Sequence, residues 1–529
     1  MADTKREIER KYEATPETRL PDLTRVPGVS AVIDKGVREL DAVYYDTADL
    51  RLADSAITLR RRTGGDDAGW HLKLPVAPGV RDEITAPLAE EIPRTLASLV
   101  RARTRDAELA PVVRLLSSRD IRHLVDADGK LLAELSRDSV RAERLTDGGR
   151  TAAWDEIEVE LADDGDPAFL DAVDKKLRKA GVKPAESPSK LARALAETAP
   201  NAGKRAKSES PAAEQPRGSS PAEQPPRTAT AEPAPGTAGA HILAFLREQR
   251  DALLAYDPAV RRDLPDSVHQ MRVATRRLRS AFRSYRKIID RAVTDPIGDE
   301  LKWLAAELGV ARDQEVLTER LKSRIDAVPR PLLLGPVRGR LRVWTVAHGS
   351  GSRRRAVAVL DSKRYRALLD SLDTLLADPP LLKAARGAAA RIIPKAILKD
   401  YDRLAARVDH ALELPAGEAR DLAMHDARKA AKRARYAGEA ATPALGKVAK
   451  KFAKRMKAVQ TVLGDHQDSV VAREALRNLA IQAHAAGESA FTWGLLYGQE
   501  QAQAAERERE LPGVWHKASD PDLRAALAG

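Results

Sequence analysis

Apolar and polar residues alternate in several short segments of the first 200 residues. A period of two is typical of a β-strand with one buried face. Pairs such as Gly64-Gly65 and Asp128-Gly129 lie between segments and suit hairpin turns. The clearest segments are residues 6–12, 42–46, 57–62, 70–74, 131–135 and 156–161. With helical patterns at 167–180 and 190–197, this half is predicted to be mainly antiparallel β with a few helices.

After residue 240, apolar residues recur every three or four positions, which is the period of an amphipathic helix. No segment there alternates like a strand, so we predict an all-α domain. The expected helices are residues 240–255, 267–290, 296–308, 315–326, 364–376, 389–412, 418–442, 445–463, 469–486 and 489–510. The whole chain is therefore expected to be an α+β multidomain protein.

Residues 201–238, rich in Pro, Ala, Glu and Ser, separate the two patterns. Such a composition buries too little apolar surface to offset the ordering of the chain, so it predicts a disordered linker. We expect one domain at residues 1–200 and a second at residues 239–520. Two domains also suit a length of 529 residues.

The helical half contains an internal repeat. The run from His269 to Arg279 aligns with the run from His425 to Arg435 at an offset of 156 residues. A second motif, Leu-Gly-x-x-x-Asp, ends at Asp313 and again at Asp468. Because the two motifs keep nearly the same separation, we predict two helical bundles related by a pseudo-twofold axis.

Charge is distributed unevenly between the two halves. Residues 1–200 carry 33 basic and 38 acidic side chains, a net charge of −5, whereas residues 241–529 carry 52 and 36, a net charge of +16. A strongly basic half indicates an extended polyanion as partner: nucleic acid, an acidic membrane surface or polyphosphate. Aromatic residues make up only 4% of the chain, which disfavours base stacking with single-stranded nucleic acid.

Two further features of the composition exclude whole classes of chemistry. The chain has no cysteine, so disulfides, thiolate metal sites and a cysteine nucleophile are excluded. No stretch approaches the roughly 20 apolar residues of a membrane span. We therefore expect a cytoplasmic protein without a membrane partner; the pattern carries no prediction of an oligomeric state.

Charged residues alternate within several predicted strands, so that like charges share a face. The first strand places Glu7, Glu9 and Lys11 on one face. Arg60 and Arg62 do the same on a later strand, Lys73 lies on the next, and Glu156, Glu158 and Glu160 alternate on the last. An edge strand with a solvated face would explain one such segment. A closed barrel with a polar lumen explains all of them, because carboxylates can hold a metal while arginines and lysines hold phosphate oxygens.

These motifs resemble the CYTH superfamily, the triphosphate tunnel metalloenzymes. The resemblance covers residues 3–200 and rests on Glu7-Ile-Glu9-Arg-Lys11, Tyr44-Tyr-Asp-Thr47, Leu59-Arg-Arg-Arg62 and Trp70-His-Leu-Lys73. It implies an eight-stranded antiparallel tunnel that hydrolyses or cyclises a triphosphate with Mg²⁺ or Mn²⁺. Arg119 and Arg122 are three residues apart, so one of them is expected to point outward.

The resemblance also implies roles for individual residues. The implied metal-binding residues are Glu7, Glu9, Asp138, Glu158 and Glu160. The implied substrate-binding residues are Arg60, Arg62, Lys73, Arg119, Arg122 and Lys190. Lys11, Glu7 and Glu9 are expected to be catalytic, and the base that accepts the proton of the attacking water is either Lys11 or a tunnel glutamate.

Basic residues form one stripe along each repeated helix, beside the apolar stripe rather than opposite it. The two stripes comprise His269, Arg272, Arg276, Arg279 and Arg283 in the first repeat, and His425, Arg428, Lys432 and Arg435 in the second. A single arginine-rich helix could be a solvated surface. Its repetition favours a channel for a uniformly charged polymer.

The helical half resembles the CHAD domain, the conserved-histidine α-helical domain, over residues 238–515. The resemblance implies binding of inorganic polyphosphate, with the nine residues of the two stripes as ligands. We predict a metal-dependent triphosphatase joined to a polyphosphate-binding domain. The alternatives are a non-catalytic scaffold of polyphosphate granules, a nucleotide cyclase, and nucleic-acid binding by the basic half.

Overall fold

The computed structural model describes residues 3–146, 148–199, 232–349 and 352–528. Two compact units make up the chain, Met1–Glu223 and Gln224–Gly529. Most of the predicted linker at 201–238 lies outside the described residues. Its last part is described, and the first helix of the second unit begins at Ala238.

The first unit is built on a closed barrel of eight antiparallel strands, as predicted. The order around the barrel is β1-β5-β4-β3-β2-β6-β7-β8. The strands are β1 (Asp3–Ala14), β2 (Ala31–Asp46), β3 (Thr58–Thr63), β4 (Gly69–Ala77), β5 (Val80–Ala86), β6 (Ala110–Val125), β7 (Leu131–Arg144) and β8 (Thr151–Leu161).

Strand β1 closes the barrel by dividing its pairing between two neighbours. Residues 3–8 pair with β5, and residues 9–14 pair with β8. The division falls between Glu7 and Glu9, opposite Arg81 and Glu160 respectively. The predicted acidic motif therefore lies at the seam where the first and last strands meet.

The apolar core of this unit lies outside the barrel, against three helices: α1 (Arg94–Thr104), α2 (Pro167–Lys179) and α3 (Lys190–Glu197). Leu99 of α1 packs on Trp70, and Leu177 of α2 packs on Val159. Leu191 of α3 packs in the cluster that contains Trp154. Because the outward positions are apolar and covered, the inward positions are left for charged side chains.

The alternation pattern did not reveal β5 and β6. In β5 the inward residues are Arg81, Glu83 and Thr85, and the outward position next to them is Asp82. Polar residues thus occupy both faces at this point, which removes the contrast on which a period-two prediction depends.

The described part of the second unit contains twelve α-helices, which confirms the predicted all-α class. They are α4 (Ala238–Arg261), α5 (Ser267–Ser284), α6 (Arg291–Glu307), α7 (Gly309–Ala327), α8 (Val337–Gly349), α9 (Ser352–Asp361), α10 (Lys363–Ala377), α11 (Ala389–Glu413), α12 (Glu418–Leu445), α13 (Lys447–Ala485), α14 (Phe491–Ala518) and α15 (Pro521–Ala528). Among the described helices, none is both long and apolar enough to cross a bilayer.

Several helix boundaries differ from the predictions. The segments at 445–463 and 469–486 form one helix of 39 residues, α13, because Gly464 lies inside it without breaking it. The helix predicted to reach residue 290 ends at Ser284. Helices α8 and α9 were not predicted. The pseudo-twofold relation between bundles stays a prediction.

Asp46, at the end of β2, fixes the turn that follows. Its buried carboxylate accepts hydrogen bonds from the amides of Thr47 (2.7 Å), Leu52 (2.9 Å) and Ala53 (2.8 Å). Leu50 and Ala56 in the same turn have φ values of 57° and 56°, which non-glycine residues rarely adopt. The carboxylate therefore holds the turn in a strained conformation.

We expect Asp46→Ala to destabilise the first unit by about 2–4 kcal/mol, because three amides lose their acceptor in a buried turn. Hydrogen exchange of the Leu52 and Ala53 amides, followed by mass spectrometry on the full chain, should become faster. Asp54→Ala, at an exposed position of the same turn, is the control and should leave exchange unchanged. Equal exchange in both variants would contradict this role of Asp46.

Candidate functional site

A cavity of about 410 Å³ occupies the barrel interior, and all eight strands contribute to its lining. Directly opposed positions on neighbouring strands carry complementary charges: Lys73 faces Glu83 between β4 and β5, and Lys11 faces Glu158 between β1 and β8. Arg119 likewise faces Asp138 between β6 and β7. The barrel interior is therefore a set of cross-strand ion pairs.

One wall of the tunnel centres on Lys73. Its Nζ lies 2.7 Å from Glu7 Oε2 and 3.7 Å from Glu83 Oε1. His71 Nδ1 lies 2.9 Å from the same Glu83 oxygen, and Arg60 Nη2 lies 3.8 Å from it. Arg60 also donates a hydrogen bond of 3.3 Å to the hydroxyl of Tyr44.

The other wall centres on Lys190, the first residue of α3. Its Nζ lies 2.9 Å from Asp138 Oδ2, 2.7 Å from Glu156 Oε1 and 2.7 Å from Glu158 Oε1. Arg119 donates to both oxygens of Asp138 at 2.7 and 2.8 Å, and to Glu158 at 2.8 Å. The side chain of Ser189 accepts a hydrogen bond from the amide of Ala192, which fixes the start of α3 and so places Lys190 in the tunnel.

Tunnel charges shift the pKa values of individual carboxyl groups in opposite directions. Burial raises the pKa of Glu7 to about 7, since desolvation and the nearby Glu83 outweigh Lys73. Burial also raises the pKa of Glu158. The nearby cations Lys11, Lys190 and Arg119 outweigh burial, so the pKa of Glu158 lies well below its usual value. Glu7 can therefore exchange a proton near neutral pH, whereas Glu158 stays ionised.

Oxygen ligands of the tunnel fit a hard divalent cation. Asp138, Glu156 and Glu158 each offer a carboxylate oxygen, and these oxygens lie within 4.8 Å of one another. Mg²⁺ and Mn²⁺ prefer such donors. The ammonium of Lys190 contacts the same three groups, so a cation at this point would require Lys190 to turn away.

In the second unit, α5 and α12 bring the two basic stripes together. Tyr285 at the end of α5 donates a hydrogen bond of 3.0 Å to the carbonyl of Ala437, and Arg277 pairs with Glu439 at 3.0 Å. A cavity of about 720 Å³ lies beside these helices. Its basic lining residues include His269, Arg272, Arg276, His425, Arg428, Lys432 and Arg435.

A second cavity, of about 510 Å³, adjoins the first, because Arg276, Lys432 and Tyr436 line both. The last two residues of the first stripe, Arg279 and Arg283, line this second cavity. Helix α11 adds two further arginines, Arg403 and Arg407. The two cavities together form a basic cavity system, the name used below for both.

Equivalent arginines of the two repeats make equivalent contacts. Arg272 Nη1 lies 3.0 Å from Asp313 Oδ1, and Arg428 Nη2 lies 3.7 Å from Asp468 Oδ1. A Cβ added at Gly309 would lie only 2.9 Å from Arg272 Nη2, so glycine is needed there for the arginine to approach. The Leu-Gly-x-x-x-Asp motif thus positions Arg272 in the first repeat, whereas a Cβ added at Gly464 of the second repeat would lie 3.7 Å from Arg428 Nε, an ordinary contact.

A sequence model of the CYTH domain matches residues 5–195, and one of the CHAD domain matches residues 244–477. Two uncharacterized proteins from Mycobacterium tuberculosis, strains CDC 1551 and H37Rv, are 38% identical over 522 residues, which is 95% of this chain and 94% of each relative. The chain belongs to the CYTH-CHAD family.

Solved structures are similar to parts of this CYTH-CHAD protein. PptA from Streptomyces chartreusis matches with a TM-score of 0.46 and 20% identity, over 53% of this chain and 99% of its own. The CHAD domain from the plant Ricinus communis matches with a TM-score of 0.41 and 27% identity, over 58% and 97% respectively.

Most of the residues singled out in the sequence of the CYTH-CHAD protein converge. The tunnel lining includes Glu7, Glu9, Lys11, Arg60, Arg62, Lys73, Arg119, Glu158, Glu160 and Lys190. Asp138 lies behind Arg119 and Lys190, fully buried. All nine residues of the basic stripes line the basic cavity system.

Arg122 is the exception, and the prediction that it binds substrate in the tunnel is wrong in placement. It is an odd number of residues from Arg119 on β6, so strand alternation turns it to the other face. There Arg122 Nη2 pairs with Asp120 Oδ2 at 3.1 Å, and both side chains are about one third exposed, at 38% and 31%.

The sequence analysis missed tunnel residues on β2, β4 and β5. The missed residues Tyr44, His71, Arg81 and Glu83 all line the cavity. Arg81 and Glu83 are two residues apart in the sequence, as Glu7 and Glu9 are, and this spacing could have identified them as charged residues on one face of a strand. Arg403 and Arg407, four residues apart on one predicted helix, were the corresponding signal in the CHAD domain.

We expect Lys190→Met to destabilise the CYTH domain by about 3–5 kcal/mol at pH 7, because three buried carboxylates lose their common cation. In the wild type the pKa values of Asp138 and Glu158 are held low, so these ion pairs stabilise the fold above about pH 4 and lose that effect as the carboxylates are protonated. Removing Lys190 raises these pKa values, so the folded variant takes up protons at a higher pH than the wild type, and its deficit should shrink as the pH falls from 8 to 4.

Thermal unfolding of the full chain across that pH range measures the effect. Lys5→Met is the matched control: Lys5 pairs with Glu160 at 2.6 Å, but its side chain is 45% exposed, so its loss should cost less than about 1 kcal/mol. A Lys190→Met deficit that is the same at pH 4 and pH 8 would contradict the electrostatic origin.

In the CHAD domain we expect Lys432 to become protonated when an anion binds. Burial, followed by Arg428 and Arg276, lowers the pKa of Lys432 to about 7, so the side chain is mostly neutral at pH 8. A polyanion favours the charged form, so binding of long-chain polyphosphate at pH 8 should take up nearly one proton at this lysine, and much less at pH 6. Calorimetry in buffers of different ionisation enthalpy gives the number.

Lys432→Arg provides the control for that experiment, because arginine stays charged at both pH values. This variant should bind polyphosphate at pH 8 without the proton uptake seen in the wild type. The same uptake in both proteins would assign the proton to another group and refute the role of Lys432.

Proposed function

We propose that the CYTH tunnel hydrolyses tripolyphosphate or a related triphosphate with Mg²⁺ or Mn²⁺, and that the CHAD domain binds inorganic polyphosphate. One observation carries the catalytic part: a closed tunnel has cations on facing walls, with carboxylates among them. A triphosphate is a short chain of closely spaced negative charges, and cations on several sides can neutralise all of them together.

Both walls of the tunnel are proposed to contribute cations that bind the substrate. Lys73 and Arg60 on one side, and Arg119 and Lys190 on the other, are proposed to contact phosphoryl oxygens. Each of them is paired with a carboxylate of the tunnel, so its side chain is oriented toward the lumen. Arg62 contributes a further guanidinium to the lining.

Glu7, Glu9, Glu158 and Glu160 are proposed to hold the divalent cation, with Asp138 as a supporting carboxylate. A bound divalent cation would neutralise phosphate charge and polarise the phosphoryl group. The donor set consists of carboxylate oxygens, which suits Mg²⁺ or Mn²⁺.

Hydrolysis replaces one bond at the terminal phosphorus. The oxygen of a water molecule bonds to phosphorus, the bond from phosphorus to the bridging oxygen breaks, and a water proton passes to a basic side chain. Two groups are candidates for that base. One is Lys11, which lies between Glu9 and Glu158, and the other is a tunnel glutamate that does not hold the cation.

The basic cavity system supports polyphosphate binding by the CHAD domain. Its lining carries many more cations than acids, and the arginine side chains project from both repeats into one space. A cavity of this kind offers repeated phosphate contacts without sequence readout. No nucleophile and base have been identified in its lining, so we propose binding there rather than catalysis.

The test is phosphate release by the full chain from tripolyphosphate, ATP and long-chain polyphosphate, each with Mg²⁺ or Mn²⁺. Tripolyphosphate should yield orthophosphate and diphosphate, and Glu7→Gln/Glu9→Gln should reduce the rate about 100-fold or more. Arg122→Gln, on the outer face of the barrel, should behave like the wild type. Absence of release from all three substrates, with polyphosphate still bound, would leave a non-catalytic polyphosphate scaffold.

A further inference from the structure

A row of lysines runs along the exposed face of α13 at its N-terminal end. Lys447, Lys450, Lys454 and Lys457 are spaced three, four and three residues apart, so they share one face of the helix, and all four are exposed. We call this row the lysine stripe. By the rise of an α-helix it is about 15 Å long.

The stripe lacks the acidic partners that a solvated helix face usually has. No Asp or Glu occurs between Ala440 and Gly464. Among the described residues, no ion pair within 4.0 Å involves these four lysines. Like charges one turn apart repel each other, and cations in the first turn of a helix oppose its dipole. The stripe therefore weakens α13 unless an anion lies against it.

The same face of α13 leads directly into the basic cavity system. Continuing the spacing of four and three residues from Lys457 gives Thr461, Gly464 and Asp468, and Asp468 lines the cavity beside Arg428. Gln460, also a lining residue, lies one turn from Lys457. An anion that fills the cavity can thus continue onto the stripe without leaving this helix.

The first repeat has the opposite charge at two of the four equivalent positions, whereas Ala292 corresponds to Lys447 and Lys302 to Lys457. Helix α6 aligns with the start of α13 at an offset of 155 residues, and the buried positions agree: Ile297, Leu301, Leu304 and Leu308 correspond to Phe452, Met456, Val459 and Leu463. At the exposed positions, Asp295 and Asp299 stand where the second repeat has Lys450 and Lys454. The repeats match in their cores and at the cavity, but not on this face.

We propose that the lysine stripe extends the polyanion-binding path, so that a long inorganic polyphosphate chain leaves the basic cavity system along α13 and not along α6. The inference rests on the proposed polyphosphate binding by the CHAD domain. Charge complementarity favours a phosphate polymer at the four exposed lysines, whereas the corresponding face of α6 carries Asp295, Asp299 and a single lysine, Lys302.

The experiment compares two triple variants of the full chain, each losing three positive charges. Lys450→Gln/Lys454→Gln/Lys457→Gln neutralises the stripe, and Lys322→Gln/Lys363→Gln/Lys383→Gln neutralises exposed lysines elsewhere in the same domain. Affinity for long-chain polyphosphate is measured over a range of salt concentrations. The stripe variant should bind at least about tenfold more weakly, and its salt dependence should fall by about one unit of slope per lysine lost. The control should lose less than about twofold.

Hydrogen exchange supplies a second readout that does not depend on affinity. Long-chain polyphosphate should slow exchange in residues 447–460 of the wild type and leave residues 292–305 of α6 unchanged. Equal protection of both segments, or equal weakening in both triple variants, overturns the inference. Preferential binding of duplex DNA or anionic lipid vesicles through the stripe overturns it as well.

A cavity variant separates failure of this inference from failure of the proposed function. If the wild type does not bind long-chain polyphosphate, the proposed function of the CHAD domain fails and the inference fails with it. If Arg276→Gln/Arg428→Gln loses binding while the stripe variant binds like the wild type, the inference alone fails.

Discussion

The N-terminal unit depends on the pairing of buried opposite charges. Removing a charged side chain from water is costly unless an opposite charge takes over part of its hydration. The barrel meets this condition by strand register, which sets Lys11 beside Glu158, Lys73 beside Glu83 and Arg119 beside Asp138. Its apolar residues point outward and are covered by helices, so the fold can keep a polar interior without losing a hydrophobic core.

The helical unit differs from the barrel, because the charged side chains that line its cavities are mostly positive. Small buried side chains occur along α12, among them Ala427, Ala431 and Ala434. The repulsion among the arginines is reduced locally by single carboxylates such as Asp313 and Asp468. Burial, together with the remaining excess of positive charge, lowers the pKa of Lys432 to about 7.

Sequence reasoning predicted the two fold classes and most of the charged lining, because alternation and helical periodicity directly report which side chains share a face. Strand prediction failed where both faces of a strand are polar. One such strand is β5, whose Glu83 pairs with Lys73 and His71. For Arg119 and Arg122 the odd spacing indicated that one of the two points outward, but not which one. Helix limits within 445–486 were misplaced because a helical glycine reads like a terminus in sequence. Contacts between residues far apart in the chain, such as those of Lys190, needed the structure.

The divided pairing of β1 has a consequence for how the protein forms. Residues 9–14 of this strand, the first barrel strand along the chain, can pair only once β8 has been made; Lys11 and Glu158 are 147 residues apart. Until β8 has been synthesised, the barrel has an open edge and a half-assembled acidic motif. Such long-range closure is slow compared with local hairpin formation. A chain that stops before β8 lacks Glu158, Glu160 and Lys190, so part of the tunnel's charged lining is missing until the barrel is complete.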